Sequence, residues 1–135
     1  MKDDCIFCKL ANHVFDTNII YEDDDFTVIL DVSPATRGHA LILPKEHYKD
    51  ITDMPEDLLQ KAAVLAKKLI SHLSEKLGSD GYNIVQNNGE TAGQTVFHFH
   101  IHLIPRYKDD DQKIGWKPQQ PSQDELAALA DSIRL

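Results

Sequence analysis

A chain of 135 residues is long enough for one compact domain with a moderate core, and 41% apolar residues set it well apart from disordered sequences. Twenty-two acids against 14 bases give a net charge of −8, which argues against a nucleic-acid-binding surface built from clustered Lys and Arg, although one pocket could still hold a small anion. No apolar run approaches the roughly 20 residues of a membrane span, and Met1-Lys2-Asp3-Asp4 lacks the apolar core of a signal peptide, so a cytoplasmic protein with no membrane partner is expected.

In chain order, Cys5 to Leu10 reads as a short helix or turn with Ile6, Phe7 and Leu10 on one side. Its two cysteines, Cys5 and Cys8, form a C-x-x-C. A disulfide suits a reducing cytoplasm poorly, and a redox pair usually follows a strand. Half of a zinc site, completed by histidines elsewhere, fits a chain with seven histidines. Ile19 to Glu22 is the first strand, Asp23-Asp24-Asp25 a solvated turn rather than a metal site, and Phe26 to Leu30 the second strand. A loop from Asp31 to Gly38, marked by Ser33-Pro34 and the glycine, leads to a third strand from His39 to Leu43, closed by Pro44. From Pro55 to Leu77 the apolar spacing turns helical, with Leu58, Leu59, Ala62, Leu65, Ala66, Leu69, Ile70, Leu73 and Leu77 in one stripe. Asp53 and Pro55 mark the start and Gly78 the stop. His13 and His72 read as surface residues. Gly81 to Gln86 is a fourth strand, Asn87 to Gly93 a glycine-bearing loop, and Thr95 to Pro105 a fifth strand. A loose tail over residues 108–135 ends in a short helix from Ser122 to Ile133, opened by a capping box of Ser122 and Glu125. The expected fold is α+β, a five-stranded, mainly antiparallel sheet with one long helix on it, as a single domain over residues 1–135 with its core at about 5–107.

The fifth strand carries the chemistry. Side chains alternate between faces along a strand, so His98, His100 and His102 share one face, roughly 6.5–7 Å apart at Cα, and Phe99, Ile101 and Leu103 share the other. A core needs the apolar face and has no use for the histidines. Three imidazoles could ligate one metal ion, or one neutral imidazole could attack phosphorus while its neighbours position it and supply charge or protons. The loop before the strand, Asn87 to Gln94, offers amide and hydroxyl donors for phosphate oxygens. No Walker-type glycine loop with Lys is present, which excludes a conventional nucleoside triphosphatase.

The run His98-Phe99-His100-Ile101-His102-Leu103-Ile104 matches the signature of the histidine triad family, three histidines separated and followed by apolar residues. Asp31-Val32-Ser33-Pro34, His39, Pro44-Lys45, His47, Asn87, Gly89 and Gly93-Gln94-Thr95 also fall where that family carries similar residues. The chain resembles its small nucleotide-binding hydrolases, which release a mononucleotide from nucleoside phosphoramidates or dinucleoside polyphosphates. The resemblance implies that His100 is the nucleophile forming a nucleotidyl-histidine, that His102 contacts phosphate oxygens, and that His39 is a fourth histidine in the same pocket. It implies that Asn87, Gln94 and Thr95 contact phosphate or leaving group, Thr95 standing where the family often has Ser. Asp31 would hold the ribose hydroxyls, and Ile6, Phe7, Leu10, Phe15 and Leu41 would surround a purine base. It further implies a closed structural zinc site of Cys5, Cys8, His47 and His98, no organic cofactor, and a homodimer that joins two sheets into one through the long helix and fourth strand. Two other functions stay open: a nucleotide-binding regulator whose hydrolysis is incidental, and a metal-hydroxide hydrolase that uses the histidines as ligands.

Overall fold

The structure, a computed structural model, describes residues 1–135. Strands β1 (Ile19–Glu22), β2 (Phe26–Leu30), β3 (Ala40–Pro44), β4 (Gly81–Val85) and β5 (Ile101–Arg106) form one sheet in the order β1-β2-β3-β5-β4, with every neighbouring pair antiparallel. The helices are α1 (Ile6–Ala11), α2 (Glu56–Leu77) and α3 (Gln123–Ile133). The acidic triplet closes the β1–β2 hairpin: Asp23 Oδ1 accepts from the N–H groups of Asp25 and Phe26, both at 2.8 Å, and Asp25 pairs with Lys61 of α2 at 3.1 Å.

Helix α2 lies on one face of the sheet. Its stripe of Ala62, Leu65, Ala66, Leu69, Ile70 and Leu73 is buried against Phe26, Val28, Ile42, Phe99, Ile101 and Leu103. Each large apolar side chain buried there contributes about 1.5–3 kcal/mol. The helix stops where Gly78 turns left-handed, at φ 68°. Its start lies where the sequence marks it: Pro55 is the cap residue, without a side-chain capping bond, and Asp53 ends a 3₁₀ turn, Ile51–Asp53, and accepts from the Lys49 N–H at 3.1 Å. The proline holds Met54 extended, which sets that turn apart from the helix.

The other face of the sheet carries α1, packed through Ala11, Phe7 and Leu10 on Ile29, Leu41 and Leu43. Thr27 Oγ1 donates to the Ala11 carbonyl at 2.7 Å, and Asn12 Nδ2 donates to the carbonyls of Cys8 and Lys45, each at 2.9 Å. The strand register aligns Ile19, Ile29, Leu41 and His102 in one cross-strand row beneath α1. The fifth ladder is shorter than expected, beginning at Ile101 rather than near Thr95. Upstream, the chain is held by one backbone bond, from the Phe99 N–H to the Tyr48 carbonyl at 2.6 Å, and by the side chains of Gln94 and His98. Beyond Asp110 every residue is exposed, and α3 buries none of its side chains, although Ser122 caps it by accepting from the Glu125 N–H at 3.1 Å.

Candidate active site

The period-two pattern holds even where the ladder does not. Phe99, Ile101 and Leu103 enter the core under α2, and the three imidazoles project to the α1 side. There Phe7 stands edge-on to His98 and His100, at centroid distances of 6.1 and 4.9 Å, and His100 lies 4.9 Å from His102. The rings then separate into two groups.

His98 belongs to a cluster with the cysteines. Its Nδ1 is 3.5 Å from Cys5 Sγ and 3.4 Å from Cys8 Sγ, and His47 Nδ1 is 3.4 Å from Cys8 Sγ. All four donor atoms fall within 4.8 Å of one another. His98 Nε2 lies 2.9 Å from the Pro44 carbonyl. A carbonyl only accepts, so the proton sits on Nε2 and the Nδ1 lone pair faces the sulfurs. Zinc–sulfur and zinc–nitrogen bonds of about 2.3 and 2.0 Å give a tetrahedral edge of about 3.5 Å, so the donor set fits a closed tetrahedral ion. Burial holds His98 at about 4 and lowers His47, which keeps both imidazoles in the neutral, ligating form. The same burial pushes the Cys8 thiol up, an effect that a cation among the donors would reverse.

His100 presents the opposite nitrogen. Its Nδ1 donates to the His98 carbonyl at 2.8 Å, leaving the Nε2 lone pair free. A second chain of contacts fixes His102. The Ala35 N–H donates to His39 Nδ1 at 2.9 Å, so the His39 proton sits on Nε2, which donates to His102 Nδ1 at 2.9 Å. The His102 proton is thereby left on its own Nε2. Asp31 Oδ2 lies 3.6 Å from His39 Nε2. Asp31, His39 and His102 are close enough together for an ion, but the Ala35 N–H on Nδ1 commits His39 Nε2 to a proton rather than a metal. Burial lowers the pKa of His39 and His100, and burial reinforced by the neighbouring His100 and His39 lowers His102 to about 4, so the three rings are neutral at pH 7.

These groups open on a cleft of about 590 Å³. His100, His102, Asn87 and Thr95 line it together with the apolar side chains of Ile6, Phe7, Leu10, Ile29 and Leu41 and with Asp31 and Ser33. No Lys or Arg lines it. Three expected residues are not part of its lining. His39 stands behind His102. Phe15 is 45% exposed, with Lys9 Nζ 5.3 Å from its ring centre. Gln94 is 1% exposed, and its amide is fully used: Oε1 accepts from the Gly89 N–H at 2.8 Å, and Nε2 donates to the Lys49 and Val96 carbonyls at 2.7 and 3.1 Å. It shapes the loop that presents Asn87 and Thr95. Ile29, Asp16 and Thr17 line the cleft without having been singled out in the sequence. Ile29 is legible as the residue two before Asp31 on the same strand face; Asp16 and Thr17 sit in no motif. A second groove of similar volume, between the β1–β2 turn and α2, carries the carboxylates of Asp23, Asp24, Asp25 and Asp57 and none of the histidines.

Residues 12–109 match the HIT domain family model. The chain belongs to the HIT family. An uncharacterised HIT-like protein of Methanocaldococcus jannaschii is 46% identical over 110 residues, 82% of this chain and 84% of that one. The adenosine 5'-monophosphoramidase HNT1 of Saccharomyces cerevisiae is 37% identical over 126 residues, 93% of this chain and 77% of its own. A HIT family protein from Bacillus anthracis superposes with a TM-score of 0.89 at 37% identity, covering 98% of this chain and 96% of that one. A zinc-bound histidine triad family protein from Mycobacterium smegmatis gives 0.78 at 36% identity, covering 96% and 97%. In this HIT chain the triad divides its labour: the first histidine faces two thiols, and the other two face the cleft.

Proposed function

We propose that this HIT protein hydrolyses the α-phosphate bond of purine nucleoside phosphoramidates through a nucleotidyl-histidine on His100, releasing a nucleoside monophosphate. The observation that carries the reading is the tautomer imposed by the His98 carbonyl, which leaves His100 Nε2 free to act as a nucleophile. The Nε2 lone pair forms a bond to phosphorus as the bond from phosphorus to a leaving nitrogen already protonated by solvent breaks, so a neutral amine departs and His102 keeps its Nε2 proton. Water then attacks the same phosphorus and gives a proton to solvent, and the bond to His100 breaks, returning its Nε2 lone pair. The His102 N–H, with Asn87 and Thr95 beside it, meets the charge on the phosphate oxygens, and Asp31 accepts the ribose hydroxyls. Ile6, Phe7, Leu10 and Leu41 enclose the base. His39 and Gln94 act one step back, through His102 and the loop respectively.

The choice of phosphoramidates over dinucleoside polyphosphates rests on charge. A cleft with two carboxylates and no Lys or Arg disfavours a chain of anionic phosphates and tolerates a singly charged phosphoramidate. The monophosphoramidase activity named for HNT1 agrees with that choice. A metal-hydroxide reaction on three triad ligands has poor support, because His98 Nδ1 faces the thiols while Nδ1 of His100 and of His102 is taken up by other partners. Zinc, if held by Cys5, Cys8, His47 and His98, would brace α1 and the His98 backbone and supply no chemistry at phosphorus. A homodimer is supported by β4, an open sheet edge on which Tyr82 and Ile84 are exposed at every second residue.

The test is His100→Ala. Turnover of adenosine 5'-phosphoramidate should fall by orders of magnitude while AMP still binds. Undiminished turnover would end the nucleophile assignment. Negligible turnover by the parent protein, with tight nucleotide binding, would favour a regulator instead.

A further inference from the structure

We infer that Asp16 selects the base, its carboxylate in the cleft wall at the end opposite His100 taking guanine in preference to adenine. The inference rests on the nucleotide reading of the cleft and adds a substrate class to it. The cross-strand row from His102 through Leu41 and Ile29 to Ile19 spans three strand spacings, about 14 Å. Asp16 and Thr17 lie just upstream of Asn18 and β1 and line the same cleft, and the Asn18 carbonyl, accepting from the Leu30 N–H at 3.0 Å, pins that segment beside β2. A nucleotide with its phosphorus at His100 and its ribose at Asp31 lays its base over Leu41 and Ile29 and under α1, and the polar edge of the base faces Asp16 and Thr17.

The apolar walls hold any purine, so discrimination falls to that edge. Asp16 is exposed and has no partner in the chain, unlike Asp31, which accepts from the Ser33 N–H at 2.9 Å. Guanine offers N1–H and the N2 amino group side by side, two donors matched to two carboxylate oxygens. Adenine offers one amino donor beside the N1 lone pair, which a carboxylate repels. No Lys or Arg in the cleft competes for the carboxylate.

Calorimetric titration of GMP, IMP and AMP into the full chain and into Asp16→Asn and Asp16→Ala tests this, run beside kcat/KM for guanosine and adenosine 5'-phosphoramidates. In the parent protein GMP should bind about tenfold more tightly than AMP, with IMP, which keeps N1–H and lacks the amino group, between them. Asp16→Asn should reverse the order, because a carboxamide pairs one acceptor and one donor with adenine; Asp16→Ala should leave the two within about twofold. AMP binding as tightly as GMP in the parent, or a GMP preference that survives both substitutions, overturns the role of Asp16. A GMP preference abolished by Asp16→Ala in a protein that turns over neither phosphoramidate supports Asp16 and overturns hydrolysis instead.

Discussion

Neighbouring triad histidines carry opposite tautomers because two backbone carbonyls, those of Pro44 and His98, accept from different nitrogens. The first ring is left suited to a metal and the second to phosphorus. Burial lowers the pKa of His100, so it stays a free base to below its ordinary value of about 6.5. Activity should therefore be lost only as pH falls below about 6.5, and a pH profile of kcat/KM checks this; an acid limb centred above that value would contradict the burial argument. Stability follows the same sign. His102 titrates at about 4 in the folded chain and near 6.5 unfolded, so in that window the unfolded state binds more protons and stability falls as pH is lowered. Urea midpoints at pH 7 and pH 5 measure it, and an equal or higher midpoint at pH 5 would count against a neutral, buried His102. At this scale the sequence was informative about which side chains face the cleft, since strand alternation alone puts His100 and His102 together. The resemblance implied that Gln94 contacts phosphate or leaving group, whereas its amide is taken up by the Gly89 N–H and by the carbonyls of Lys49 and Val96, which meet it only after the loop closes.

Helix α1 has six residues, too few to persist alone, yet it supplies Ile6, Phe7 and Leu10 to the cleft. It is held by Asn12, by Thr27 and by the cysteine–histidine cluster. Cys8→Ser should abolish stoichiometric zinc on elemental analysis, lower Tm by several degrees, and raise KM more than it lowers kcat. A variant with unchanged Tm and KM would show that the cluster is dispensable. Gly38 makes a different kind of contact: at φ 91°, with a Cβ there 2.3 Å from Leu77 Cδ1, it lets the β2–β3 loop close on the end of α2. Gly38→Ala should cost about 1–3 kcal/mol by denaturant titration; a neutral result would mean that Leu77 yields freely. Periodicity placed all five strands and the long helix because each has a clean apolar pattern. It failed at the one end that tertiary contacts decide, the start of β5, where the side chains of Gln94 and His98 and a lone backbone bond to Tyr48 replace the ladder.

The whole molecule presents an acidic surface, a cleft without cations, and an open β4 edge. Light scattering should find a dimer, and Ile84→Lys should shift it toward monomer by burying a charge at the proposed seam; a monomeric parent protein would remove the continuous-sheet assembly. Neither the seam nor the tail is legible from periodicity, because a half-exposed strand reads alike whether water or a second copy covers it, and α3 touches nothing that would mark its place. The most direct measurement concerns a single bond. If His100 Nε2 attacks phosphorus, rapid quenching during turnover of a phosphoramidate, followed by peptide mass spectrometry, should find one nucleotidyl group on His100. Release of nucleoside monophosphate with no adduct at any quench time, or an adduct on His98 or His102 instead, would contradict it.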